Sequence, residues 1–202
     1  MAQKVRVIHK KLYKNTSFVG DKIKTRVFLT TDVTYYIEQV IYWDMKIKTH
    51  VLTVSRSFPI THKRKGMPTY FVEKILSTIK GASYLCAENM HKIHTIRANY
   101  ELWKKRIEEV QDGNAVLSLR YWSGKPYNSK QVEFLVLDKN NNVGIQKLKD
   151  PTNFVVAEID NNNVNWEDVA TNDGLTFDDF CSWFKVRTNK PMAVIHFTDF
   201  RY

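Results

Sequence analysis

The chain has 202 residues, of which 43% are hydrophobic and 26% charged. These are the proportions of a folded globular protein with room for one core and an extension. Its 26 aromatic residues exclude a solvated coil, no apolar run approaches the ~18 residues that span a bilayer, and Met1-Ala2-Gln3-Lys4-Val5-Arg6 lacks the apolar stretch of a secretion signal, so a soluble cytoplasmic protein is expected.

The net charge of +10 is unevenly placed. Residues 1–149 carry 27 Lys and Arg against 12 Asp and Glu, and residues 150–202 carry 4 against 9. A basic body with an acidic final quarter points to a polyanionic partner, most simply nucleic acid. Cys86 and Cys181 stand far apart with no CxxC pair, and read as reduced thiols rather than a disulfide framework or a zinc site.

In chain order, residues 4–8 and 24–31 read as strands, and residues 33–43 fit either a helix face or a strand. His50 to Ser55 is a clearer strand. A turn-rich basic loop follows from Phe58 to Pro68, centred on Lys63-Arg64-Lys65-Gly66. Thr69 to Ile79 reads as a helix with Phe71, Val72, Ile75, Leu76 and Ile79 on one face, and Pro68 at its start. Residues 99–110 form a second helix, with Asn99 as N-cap, Leu102, Trp103, Ile107 and Val110 as the buried stripe, and Gly113 near the stop.

The apolar period then changes to two. Ala115 to Tyr121 and Gln131 to Leu137 read as strands, and Asn140-Asn141-Asn142 as a turn before Val143 to Leu148, suggesting a hairpin. Phe154 to Ile159 is strand-like. Asn163 to Ala170 and Thr176 to Phe184 read as short helices, the second capped by Thr176 with Asp178 and Asp179 in its first turn. Ala193 to Thr198 is a last strand. Many short strands with a few helices predict an α+β domain around a small mixed β-barrel with flanking helices.

The most specific chemistry lies in His91-Lys92-Ile93-His94-Thr95-Ile96-Arg97. Residues three apart point to opposite faces of a strand, so Lys92 and Thr95 share a site only if Lys92 lies in the turn before it. Thr95 and Arg97 share a face. A Thr hydroxyl needs an adjacent base to become a nucleophile, and a Lys serves when burial or a neighbouring cation lowers its pKa. Arg97 could be that cation and also bind an oxyanion.

The segment Arg120 to Gln131 interleaves Arg120, Lys125 and Lys130 with Tyr121, Trp122 and Tyr127. Aromatics offer stacking surface for bases and cations offer phosphate contacts, although Trp122 fits core packing equally well. His62-Lys63-Arg64-Lys65 is a second candidate for phosphate contact, with a solvated loop as the alternative. His91 and His94 have no third partner at metal-ligand spacing. Walker and GxGxxG motifs are absent, and no metal or cofactor is expected.

Lys92-Ile93-His94-Thr95-Ile96-Arg97 resembles the K-x-x-T-x-R motif of the ASCH domain family, which are PUA-like β-barrels. The following helix with Gly113-Asn114-Ala115-Val116-Leu117-Ser118-Leu119 is similar to that family's glycine turn and barrel strand. Asn172-Asp173-Gly174-Leu175-Thr176 through Phe180 resembles the loop and helix where the family has an acidic residue, often Glu, and Ile195-His196-Phe197-Thr198 resembles the closing strand. The resemblance covers roughly residues 50–202 and leaves residues 1–49 as a β-rich extension. A second K-x-x-T, Lys22 to Thr25, lacks the Ile-Arg ending and the helix and glycine turn, and reads as a surface hairpin.

The resemblance implies recognition of RNA or a modified nucleoside in a basic cleft lined by Lys92, Thr95, Arg97, Arg120 and Asp173. DNA is a possible ligand, and no membrane partner is expected. It also implies an alternative, an amidohydrolase that deacylates N4-acetylcytidine, with Lys92 as general base, Thr95 as nucleophile and Asp173 orienting Lys92 or protonating the leaving amine. Asp173 is one methylene shorter than Glu, and its other reading is a turn residue before Gly174. An RNA-cleaving nuclease on this scaffold, and an interaction module whose acidic quarter docks on a partner or on the basic body, are further readings.

Overall fold

A computed structural model describes residues 47–80, 91–149, 156–184 and 190–202, all within the unit Ile47–Tyr202. The strands expected at 4–8 and 24–31, the ambiguous segment 33–43, the second K-x-x-T and Cys86 lie outside the described residues. The described unit is α+β. Its strands are β1 (Lys48–Thr53), β2 (His94–Arg97), β3 (Ala115–Trp122), β4 (Gln131–Leu137), β5 (Gly144–Lys149), β6 (Ala157–Ile159), β7 (Asn162–Val164) and β8 (Met192–His196). Its helices are α1 (Phe71–Lys80), α2 (Tyr100–Gln111), α3 (Trp166–Asn172) and α4 (Phe177–Trp183). No helix among the described residues is long and apolar enough to cross a membrane.

The strands form two sheets. One has the order β1-β3-β4, with β1 parallel to β3, and the other the order β2-β8-β5-β6-β7, antiparallel throughout. Among the described residues they do not close into the expected barrel. There β4 pairs with β3 alone and β2 with β8 alone, so each sheet keeps an edge.

The hairpin expected between β4 and β5 is not formed. Asp138 caps a 3-10 turn at Lys139–Asn141 by accepting the Asn140 N–H at 2.8 Å, and Asn142 is left-handed at φ 54°. The chain is thereby turned from one sheet to the other, and β5 pairs with β6 and β8 instead. The helix expected from Asn163 begins later, because Asn162–Val164 pair with β6. Asp160 and Asn161 both have positive φ, the conformation of a two-residue I′ hairpin turn, and Asn165 caps α3.

Helix α2 follows its expected signals. Asn99 is left-handed at φ 62°, and its side chain accepts the Leu102 N–H at 3.2 Å. Trp103, Ile107 and Val110 are buried as α2 packs on β3, β5 and β8, whereas Leu102, expected in that stripe, is 42% exposed. The core continues through Leu117 and Leu119 of β3 and Val194 and Ile195 of β8, all fully buried. This rigid centre carries β2 and the segment before it.

Candidate active site

Lys92 precedes β2, outside the ladder, which is the arrangement that lets it share a site with Thr95. Two backbone bonds fix it there. The Ile93 N–H donates to the Asn172 carbonyl at the end of α3 (2.9 Å), and the Phe197 N–H donates to the Ile93 carbonyl (2.8 Å). The chain before β2 is thus tied to the α3 terminus and to the end of β8. The Lys92 N–H donates to Thr78 Oγ1 of α1 at 3.1 Å.

Asp173 is the C-cap of α3, and Gly174 follows at φ 76°. The Gly174 and Leu175 N–H groups return to the Thr171 and Ala170 carbonyls, both at 2.9 Å, a glycine-terminated helix end. A Cβ on Gly174 would lie 3.1 Å from Lys92 Cβ and 3.2 Å from the His91 carbonyl oxygen. Gly174→Ala is therefore expected to destabilise the protein by about 1–3 kcal/mol, which chemical denaturation would read, and to displace Asp173.

Lys92 is 1% exposed. Its Nζ donates to Asp173 Oδ1 at 2.8 Å and to the Asp173 carbonyl, and lies 4.2 Å from the Phe71 ring centroid. Burial pulls its pKa down to about 8, with Arg97 and Lys74 adding to the fall and Asp173 opposing it. Burial pushes Asp173 the other way, but Lys92 and His94 outweigh it and hold the carboxyl below its ordinary value. The pair is therefore a buried carboxylate beside an amine that titrates far more readily than an ordinary lysine.

The pair lies at a pocket of about 270 Å³. Thr53 at the end of β1 with Val54 and Ser55 after it, Phe71 of α1, Trp122 at the end of β3, Pro126 of the β3–β4 connection, and Trp183 of α4 with its C-cap Phe184 also line it. Thr95 is 3% exposed and lines the pocket, and among the described residues its hydroxyl has no hydrogen-bond partner. Arg97 lines it as well. Its guanidinium donates to the Thr53 carbonyl (2.6 Å) and the Ile96 carbonyl (3.2 Å), and no carboxylate among the described residues pairs with it. Burial lowers its pKa, so a ligand oxyanion would compensate its charge.

Of the residues expected to bind ligand, Lys92, Thr95, Arg97, Asp173 and Trp122 come together. Arg120 does not. Its Nε donates to Ser118 Oγ at 2.7 Å, and its terminal nitrogen pairs with Glu133 at 3.2 Å across β3 and β4. Tyr127 is 87% exposed, with its ring 5.3 Å from that of Trp122, on the rim. Lys125 and Lys130 are exposed in the same connection, their carbonyls accepting the turn bonds that shape it.

The basic loop 62–65 turns towards α4 instead. His62 is buried and hydrogen-bonded to the Asp179 carbonyl, Lys63 pairs with Asp178, and Arg64 pairs with Asp179 at 2.8 Å. Its charge is largely engaged by the acidic segment, and Lys65, exposed like Lys63, forms no ion pair among the described residues. Among the described residues no group of three His, Cys, Asp or Glu side chains is placed to hold a metal ion.

The pocket walls Phe71, Trp183 and Phe184 were legible only as apolar helix residues. His94 faces Asp173 at 3.6 Å, a partnership with the acid that its spacing in the sequence does not signal. Compared with known proteins, the chain matches no family model, no curated protein and no solved structure.

Proposed function

We propose that this chain recognises a single modified nucleoside in the pocket and removes an acyl group from its base, acting as an amidohydrolase of the ASCH type. The observation that carries this reading is Lys92: a buried amine, held by Asp173 and poised to titrate near neutrality, in one pocket with a Thr95 hydroxyl that has no hydrogen-bond partner among the described residues. The ASCH resemblance supports it through the same three residues, and a PUA-like barrel is part of the same proposal.

In the reaction, neutral Lys92 takes the Thr95 hydroxyl proton as Oγ1 attacks the acyl carbon. Arg97 faces the oxyanion that forms. The C–N bond then breaks, and the Lys92 ammonium returns its proton to the departing amine. Water, activated by Lys92 in the same way, hydrolyses the acyl-threonine and releases the carboxylic acid. Asp173 keeps the amine oriented throughout.

The volume favours one base over a strand, since it lies just below the ~300 Å³ lower end of ligand pockets. Its aromatic lining would hold a base by stacking. The test is incubation of the protein with N4-acetylcytidine and chromatography for cytidine. Cytidine release above the spontaneous rate is the expected result, and none from any acylated cytidine would sink the reading.

The pH dependence follows from Lys92. A base with a pKa of about 8 is roughly one-tenth neutral at pH 7, against roughly 0.04% for an unperturbed lysine. We expect kcat/KM to rise about tenfold per pH unit below pH 8 and to level off above it. A profile flat between pH 6 and pH 9 would remove Lys92 from the role of base.

Binding of RNA without turnover is the second reading, favoured by exposed Tyr127, Lys125 and Lys130 beside Trp122 on the rim. Its signature is affinity that falls log-linearly with salt.

A further inference from the structure

Behind Asp173, away from the groups that the proposed reaction uses directly, runs a chain of three polar side chains. Asn172 Nδ2 donates to the Tyr202 hydroxyl at 3.0 Å, and that hydroxyl lies 2.7 Å from His94 Nε2. His94 is fully buried, and its Nδ1 faces Asp173 Oδ1 at 3.6 Å. Oδ1 is the same oxygen that receives Lys92 Nζ.

The direction of each bond follows from the donor types. An amide nitrogen only donates, so the Tyr202 oxygen accepts from Asn172, which leaves its own hydrogen available to a bare His94 Nε2. Nε2 is then an acceptor, and a neutral ring carries its hydrogen on Nδ1. Burial keeps the ring neutral. The neighbouring ring of His196, 5.4 Å away, is also buried, and neither of its nitrogens has a hydrogen-bond partner among the described residues, so it makes no competing hydrogen bond to His94.

We propose that Tyr202 and His94 are positioning residues for Lys92: Tyr202 locks His94 with its hydrogen on Nδ1, and that N–H holds the Asp173 carboxylate against the lysine amine. The functional part rests on Lys92 being the base proposed above. At 3.6 Å the His94–Asp173 contact is electrostatic rather than a hydrogen bond, and tightening is expected in a ligand complex. The groups that bear on Lys92 are Asp173 after α3, Arg97 on β2 and Lys74 on α1, with His91 acting on His94.

Removing the Tyr202 hydroxyl frees the His94 hydrogen to move to Nε2, which turns a lone pair towards Asp173. A partial negative charge there favours the ammonium form of Lys92, so its midpoint should rise.

The experiment uses the full chain, with nitrogen NMR of the His94 ring and carbon NMR of Lys92 Cε across a pH titration, in the native protein and in Tyr202→Phe, His94→Asn and His94→Leu. We expect the Nδ1–H tautomer in the native protein and a Lys92 midpoint about half a pH unit higher in Tyr202→Phe. Near-native behaviour is expected in His94→Asn, whose amide restores a donor facing Asp173, but not in His94→Leu.

With N4-acetylcytidine, Tyr202→Phe should lower kcat about tenfold and leave KM within about twofold. A native ring protonated on Nε2, or a Lys92 midpoint unmoved by Tyr202→Phe, would overturn the proposal. The expected NMR pattern without turnover would support the positioning network while removing the amidohydrolase reading.

Discussion

Replacing Lys92 by Met should reduce deacylation of N4-acetylcytidine about a thousandfold or more and destabilise the fold by about 3–5 kcal/mol. Both effects have one origin. Lys92 and Asp173 are 1% and 3% exposed, and each is the other's nearest opposite charge. Removing the amine leaves a carboxylate in a desolvated site that has lost its ion-pair partner, with His94 and the more distant Arg97 left to act on it. Neutralising the acid as well, in Lys92→Met with Asp173→Leu, removes the stranded charge. Replacing a buried ion pair by apolar groups of similar volume is often neutral, so the double variant should recover most of the stability and none of the activity. Urea denaturation and cytidine release on the native protein and these two variants check this. If Lys92→Met alone were as stable as the native protein, the pair would not be buried as described.

Thr95→Val should have the opposite profile. Valine keeps the shape and β-branching of threonine, which suits its place on β2. The hydroxyl that is lost has no hydrogen-bond partner among the described residues, so stability should change by less than about 1 kcal/mol. If Thr95 is the nucleophile, the rate should nevertheless fall about a thousandfold or more. Thr95→Ser, which keeps the oxygen, should retain measurable turnover. Full activity in the stable Thr95→Val protein would exclude the acyl-threonine route and leave Lys92 to activate water directly. A residue whose loss abolishes chemistry without affecting folding is otherwise hard to find in a core position, and this separation makes Thr95 the sharper probe of function.

The acidic final quarter is partly accounted for within the chain. Asp178 and Asp179 engage the basic loop through Lys63 and Arg64, Glu158 pairs with Lys149, and Asp173 holds Lys92. These pairs join the acidic segment to cations of residues 1–149. Among the described residues, Arg97 within the pocket and Lys125 and Lys130 beside it form no ion pair, and an anionic ligand would be drawn in through them.

Local signals in the sequence determined much of the described fold. The 3.6-residue period and the Asn99 cap specify α2, Thr176 and its acidic first turn specify α4, and the period-two runs specify β3 and β4, because each depends on neighbours within a few residues. The grouping of Lys92, Thr95 and Arg97 was legible for the same reason: three positions on six residues, with Lys92 placed in the turn before a strand. Asp160-Asn161 also carried a turn signal, since Asp and Asn tolerate positive φ, and it marked β7 where helix was expected.

Sheet membership was decided only by tertiary structure. Whether β4 turns back onto β5 or leaves it for another sheet depends on partners far along the chain, and the Asn-rich turn is compatible with both. Leu102 has the right period for the α2 stripe yet is exposed, because the width of the buried face is set by what packs against it. The same holds for the site. Arg120 was drawn away by Glu133 on the facing strand. Tyr202 and His94 stand 108 positions apart and meet through one 2.7 Å contact, which nothing in the linear sequence marks. The sequence by itself determined that Lys92, Thr95 and Arg97 stand within six residues of one another. The packing of α1, α3, α4 and β8 around that segment decided that the lysine is buried, paired with Asp173 and in one pocket with Thr95, because burial and opposite charge act through space and not along the chain.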